Sequence, residues 1–185
     1  MKFYTKLQDW LAGPFSQKMQ KFMQNPYMHA LQVCFTIILP MIMVGSLASL
    51  VNTFRNFAPW LPDLSLINSF SFGLISIFMA FLIPYTIMES KKLQKQKMIT
   101  GFASVSALIA LANPQYVDGN LVINSGYVGT GGMTVAMVMG LVIGWLFSAY
   151  FKHGLFKKDS SLPSVVVVWF ESILIIFVLI LVCII

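Results

Sequence analysis

Residues 28–51 read MHALQVCFTIILPMIMVGSLASLV, a run without one Lys, Arg, Asp or Glu. A helix rising about 1.5 Å per residue needs roughly 20 apolar residues to cross the roughly 30 Å hydrocarbon core of a bilayer. The stretch from Met28 to Val51 therefore predicts a membrane-spanning helix. Outward from it, four more runs repeat the pattern: Ile67 to Met88, Met98 to Ala112, Gly132 to Phe151 and Val165 to Ile185. The third is short, which predicts a helix that is tilted, broken or packed inside the protein. The last reaches the final residue, so no soluble domain is expected after it.

Composition points the same way. Of 185 residues, 58% are apolar and 10% charged, against about 25% charged in an average soluble domain. A soluble fold with so little polar material could not cover its apolar surface. This excludes a water-soluble enzyme, a disordered tail and a secreted disulfide scaffold. The expected fold class is an all-α integral membrane protein, with five transmembrane helices preceded by an amphipathic interfacial helix. Residues 1–25 form the amphipathic segment, and residues 26–185 the five-helix membrane domain.

The chain carries 12 Lys+Arg against 6 Asp+Glu, a net charge of +6. Its basic residues sit in short clusters beside the apolar runs, which encodes membrane topology and argues against nucleic acid as a partner. Lys2, Lys6, Lys18 and Lys21 precede the first run. Lys91, Lys92, Lys95 and Lys97 lie between the second and third, and Lys152, Lys157 and Lys158 between the fourth and fifth. The other loops hold only Arg55, with Asp63 and Asp118. Alternating spans thus put eleven of the 12 basic residues on one side, so the N-terminus is expected in the cytoplasm and Ile185 at the outer face.

Before the first span, Phe3, Leu7, Trp10, Leu11, Phe15, Met19 and Phe22 recur at helical spacing among Lys and Gln. They predict an amphipathic helix that lies on the lipid bilayer at its cytoplasmic interface or packs on the base of the protein. Gly13-Pro14 is expected to divide it, with Pro14 opening the second piece. No continuous apolar core marks a cleavable signal peptide. Cys34 and Cys183 fall in separate apolar runs near opposite faces, so neither a disulfide nor a metal site is expected.

The fourth run places Gly132, Ala136, Gly140, Gly144 and Ser148 at every fourth position. Such a stripe lets a second helix approach closely. It serves either packing within one subunit or a dimer seam. In the third run, Gly101, Ala103, Ser104, Ser106, Ala107 and Ala110 predict a helix at the crowded centre of a bundle. Pro40 and Pro84 predict kinks. Glu171, about 10 Å into the fifth run at 1.5 Å per residue, is the acidic group deepest in a span. An intramembrane carboxyl is a functional candidate by default, although this one could also reach the interface, or pair with His153 or a lysine of the adjacent loop. His29 and His153 sit at span ends as interfacial residues. Nothing forms a catalytic constellation, and neither a cofactor nor a metal is expected. The run Gly126-Tyr127-Val128-Gly129-Thr130-Gly131-Gly132 predicts a tight turn leading into the fourth span.

Several motifs in order resemble the N-terminal half of the membrane-spanning IIC component of sugar phosphotransferase systems, in the lactose/cellobiose/diacetylchitobiose group. They are Phe3-Tyr4-Thr5-Lys6-Leu7-Gln8, Ile38-Leu39-Pro40 with Val44-Gly45-Ser46, Ile83-Pro84-Tyr85 before a lysine-bearing loop, Gly126-Tyr127-Val128-Gly129 leading to Gly132-Met133, and Leu162-Pro163. The resemblance covers essentially the whole chain. It implies a bacterial cell membrane, a homodimer and ancestry in disaccharide transport. It also implies that these residues form the dimer-facing scaffold half, the sugar being held by a C-terminal half for which this sequence has no positions. Where relatives carry a second Pro and an Arg, this chain has Ser164 and Val165-Val166-Val167-Val168, and Glu171 stands where relatives have a small apolar residue.

Two functions follow as expectations. The first is a IIC-like scaffold that does not move sugar alone and pairs with itself, a separate C-terminal half or another membrane protein. The second is an accessory subunit of another membrane complex, such as one acting on lipid or cell-wall glycans.

Overall fold

Asn25 and Pro26 set the start of the longest helix. The Asn25 side chain accepts a hydrogen bond from the Tyr27 amide at 3.1 Å, and Pro26, whose missing N–H costs nothing in the first turn, opens the helix. The computed structural model describes residues 16–153, 172–173 and 175–181. A short helix α1 (Ser16–Met23) precedes α2 (Pro26–Arg55), and α3 (Ser65–Ser71) runs through one 3-10 turn (Phe72–Leu74) into α4 (Ile75–Ser90). Then follow α5 (Lys97–Leu111), strands β1 (Gln115–Val117) and β2 (Asn120–Val122), the single turn α6 (Ser125–Val128), a second 3-10 turn (Thr130–Gly132) and α7 (Met133–His153).

Among the described residues, three helical stretches are long and apolar enough to cross a membrane: Pro26–Arg55, Ser65–Ser90 and Thr130–Lys152. They contain the first, second and fourth runs of the sequence. The third run forms α5, apolar but only 15 residues long. Most of the fifth run lies outside the described residues, of which 172–173 and 175–181 are helical. Residues 1–15, with Gly13-Pro14, also lie outside. In the part of the amphipathic segment that is described, Met19 and Phe22 are exposed on α1. Pro40 and Pro84 both sit inside continuous helices.

Two expectations need correction. The chain is mostly helical but not all-α, because β1 and β2 pair antiparallel, with Val117 opposite Asn120. Asp118 and Gly119 between them both take positive φ, 50° and 79°, the backbone of a two-residue hairpin turn that suits Asp-Gly. The crowded centre is α4 rather than α5. The small residues of α5 make one buried face (Thr100, Gly101, Ala103, Ser104, Ala107, Leu108), while Met98, Phe102 and Leu111 are exposed. By contrast α4 packs against α2, α5 and α7 at once, and Ile75, Met79, Ala80, Ile83, Ile87 and Met88 are all fully enclosed. Small side chains permit close approach, but the number of neighbours decides what becomes central.

Successive long helices run in opposite directions. The start of α2, the ends of α4 and α7, and the start of α5 meet at one end of the bundle, where Lys91 bonds Tyr27 and Ser148 and Ser90 lies 3.4 Å from His29. The far end holds the hairpin and the segment 56–64. There Arg55 pairs with Asp63 at 2.8 Å, and Asn52 accepts from the Leu64 amide at 2.9 Å. The Ser65 amide and the nearby Arg55 guanidinium hold the Asp63 carboxyl below its ordinary range. Among the described residues, Lys21, Lys91, Lys92, Lys95, Lys97 and Lys152 therefore gather at one end and Arg55 alone at the other.

Candidate functional site

The small-residue stripe of α7 comes first because its spacing singled it out. Gly132, Ala136, Gly140, Gly144 and Ser148 are all buried, and the two central glycines face α4. A Cβ added to Gly140 would sit 3.0 Å from Ile83 Cβ and 3.3 Å from Pro84 Cδ. One added to Gly144 would sit 2.6 Å from Ile87 Cδ1 and 3.3 Å from Pro84 Cα. The two glycines thus straddle Pro84 and bring the backbones of α4 and α7 together, which strengthens dispersion and Cα–H···O contacts between them. Within one subunit, α4 covers this stripe.

At the upper end of the same seam the glycine-rich run folds back on itself. Asn124 caps α6 by accepting from the Gly126 amide at 2.9 Å. Gly132 is needed for space, since a Cβ there would run into the Tyr127 carbonyl oxygen. The buried Ser76 hydroxyl on α4 donates to the Gly129 carbonyl at 2.5 Å, tying the turn to the central helix. The same carbonyl also accepts from the Gly132 amide at 3.0 Å, so Ser76→Ala removes one of its two hydrogen bonds and should cost about 1 kcal/mol. It should lower the melting temperature in detergent and speed hydrogen exchange across residues 125–132.

At the lower end the stripe finishes in Ser148, and here the structure adds residues that the spacing did not point to. A left-handed turn ends α4: Lys92 takes φ 63°, the Lys92 amide donates to Glu89 O, and the Leu93 amide donates to Met88 O. This closing pattern satisfies the last carbonyls of the helix and leaves the Lys91 side chain against α2 and α7. Lys91 Nζ donates to Tyr27 Oη and to Ser148 Oγ, both at 2.7 Å, and lies 4.6 Å from the Tyr27 ring centre. Ser148 Oγ donates in turn to Trp145 O at 2.9 Å. On another side of the same end, Lys97 bonds Glu89 at 2.8 Å and lies over the Tyr85 ring. The Glu89 carboxylate, then Tyr85, raise the Lys97 ammonium above its ordinary range.

No family model, curated protein or solved structure matches this chain.

The remaining candidates divide simply. Glu171 and Cys183 lie outside the described residues. Cys34 is buried on α2, and His29 Nδ1 lies 3.4 Å from Ser90 Oγ. Among the described residues no three or more His, Cys, Asp or Glu gather where a metal could be held. What the geometry assembles is a close helix joint, pinned by Ser76 above and by the Lys91 cluster below.

Proposed function

We propose that these residues form the scaffold half of a IIC-type sugar-transporter fold and work as a fixed membrane platform without translocating sugar themselves. The observation that carries this reading is where the motif residues lie. Pro84, from Ile83-Pro84-Tyr85, rests against Gly140 and Gly144, and Gly129, from the glycine-rich run, is bonded to Ser76 on the same helix. Residues that carry the resemblance are thus used to lock α4 to α7, as a platform requires. The gathering of lysines at one end supports an orientation with that end, and the N-terminus, in the cytoplasm. On this reading the membrane is a bacterial one, five spans are present, and the chain has no enzymatic activity of its own. A homodimer would use a face other than the α7 stripe, which α4 occupies.

Reconstituted alone into liposomes, the polypeptide is expected to show neither saturable disaccharide binding nor uptake. A gentle-detergent pull-down is expected to recover a second copy or a protein resembling the sugar-holding half. Saturable uptake by the polypeptide alone overturns the proposal. The sequence departures at Ser164 to Val168 and at Glu171 favour the second reading, an accessory subunit of another membrane complex. Recovery of an enzyme of lipid or cell-wall glycans in the pull-down would select it.

A further inference from the structure

Among the described residues, Lys91 has hydroxyl partners and no carboxylate partner. Tyr27 and Ser148 take two of its three N–H groups and supply no counter-charge. Lys152 lies one turn beyond Ser148 on the same face of α7 and is exposed. With Tyr27, Trp145 and Ser148, the two lysines border a partly open cavity of about 470 Å³. Among the described acidic residues, Glu89 is bonded to Lys97, Asp63 is paired with Arg55 at the far end, and Asp118 lies in the hairpin turn. Among the described residues no carboxylate is paired with either lysine, so the rim of the cavity is cationic and suits an anion.

The same face of α7 indicates what kind of anion. Val138 and Trp145 precede Lys152 at seven-residue steps and are 55% and 56% exposed. Seven residues make about two helical turns, so the three side chains stack in one line. An apolar strip therefore runs from the lysines toward the middle of the bundle, with a tryptophan where headgroup meets hydrocarbon. A cationic head site continuous with an apolar strip matches a phospholipid better than a free anion, and basic pockets between membrane helices suit acidic headgroups. We propose that the Lys91–Lys152 cavity binds the phosphate of an anionic phospholipid, with an acyl chain lying along Trp145 and Val138. This site depends only on residence in a bilayer and not on the transporter reading.

The test uses Trp145 as reporter in the full chain carrying Trp10→Phe, Trp60→Phe and Trp169→Phe, reconstituted in phosphatidylcholine bilayers. Brominated phosphatidylglycerol is expected to quench Trp145 at a lower mole fraction than brominated phosphatidylcholine. Lys91→Gln and Lys152→Gln should each reduce that preference about fivefold. Lys21→Gln with Lys92→Gln removes two exposed charges from the same end but outside the cavity, and should leave the preference in place. Lys91→Gln also loses the bonds to Tyr27 and Ser148, so Lys152→Gln decides the matter if that variant does not fold. Equal quenching by the two lipids overturns the proposal. So does a preference that survives Lys152→Gln. In a parallel arm, loss of the preference on adding inorganic phosphate would assign the cavity to the free anion and overturn the lipid occupant.

Discussion

Gly144→Leu is expected to separate α7 from α4 and to cost about 3 kcal/mol or more, the upper range for overfilling a packed interior. A Cβ at this position already meets Ile87 Cδ1 at 2.6 Å and Pro84 Cα at 3.3 Å. The isoleucine tip can turn aside, but the Pro84 backbone cannot. Gly144→Ala should therefore cost only about 1 kcal/mol, while the longer leucine forces the helices apart along the whole stripe. Gly140→Leu acts on the same seam through Ile83 and Pro84, so the two leucine substitutions will not add independently. Val138→Leu, on the exposed face of α7, is the control and should leave stability unchanged. Denaturant titration in mixed micelles would measure these differences. Wild-type stability in Gly144→Leu would show that the α4–α7 joint does not hold the bundle together.

Phe147→Ala tests the opposite error, a void. Phe147 is fully enclosed in a cluster with Met88 of α4, Ala103 and Ala107 of α5, and Ile143 of α7, and its ring centre lies 5.9 Å from that of Phe151. In soluble cores Phe→Ala costs about 3–5 kcal/mol, part of it from transfer out of water and part from the cavity left behind. In a bilayer the separated helices are already surrounded by hydrocarbon, so the transfer part largely vanishes and the packing part remains. The expected loss is about 2–3 kcal/mol. Phe147→Leu should recover more than half of it. A negligible effect would mean that acyl chains refill the site, and that α5 is held by its other contacts.

The long helices were legible because each requirement is local. An uncharged apolar run either is or is not long enough to cross a bilayer. The hairpin was missed: Asp118-Gly119 stands between Tyr116-Val117 and Leu121-Val122, but hydropathy alone passes over that turn signal. The stripe on α7 announced a close neighbour without saying which one. The fourfold spacing constrains only the helix that bears it, and the shape that fits it, Ile83-Pro84-Ile87, belongs to another helix. The Lys91 cluster was not legible at all. Its partners lie 64 and 57 positions away in sequence, and three helix ends must converge before a loop lysine becomes part of a cavity. The centrality of α4 was hidden for a similar reason, because apolar residues all round a helix serve equally for lipid and for three protein neighbours.

The lengths of α2 and α5 bear on the lipid around them. At about 1.5 Å per residue, the 30 residues of α2 reach about 45 Å and the 15 of α5 about 22 Å, while the hydrocarbon is about 30 Å thick. In a bilayer, α2 must lean or stand proud of the acyl layer, and on the proposed five-span reading α5 pinches it. On that reading the protein wears a lopsided collar of lipid, thick beside α2 and thin beside α5, and short-chain lipids collect where the membrane is squeezed.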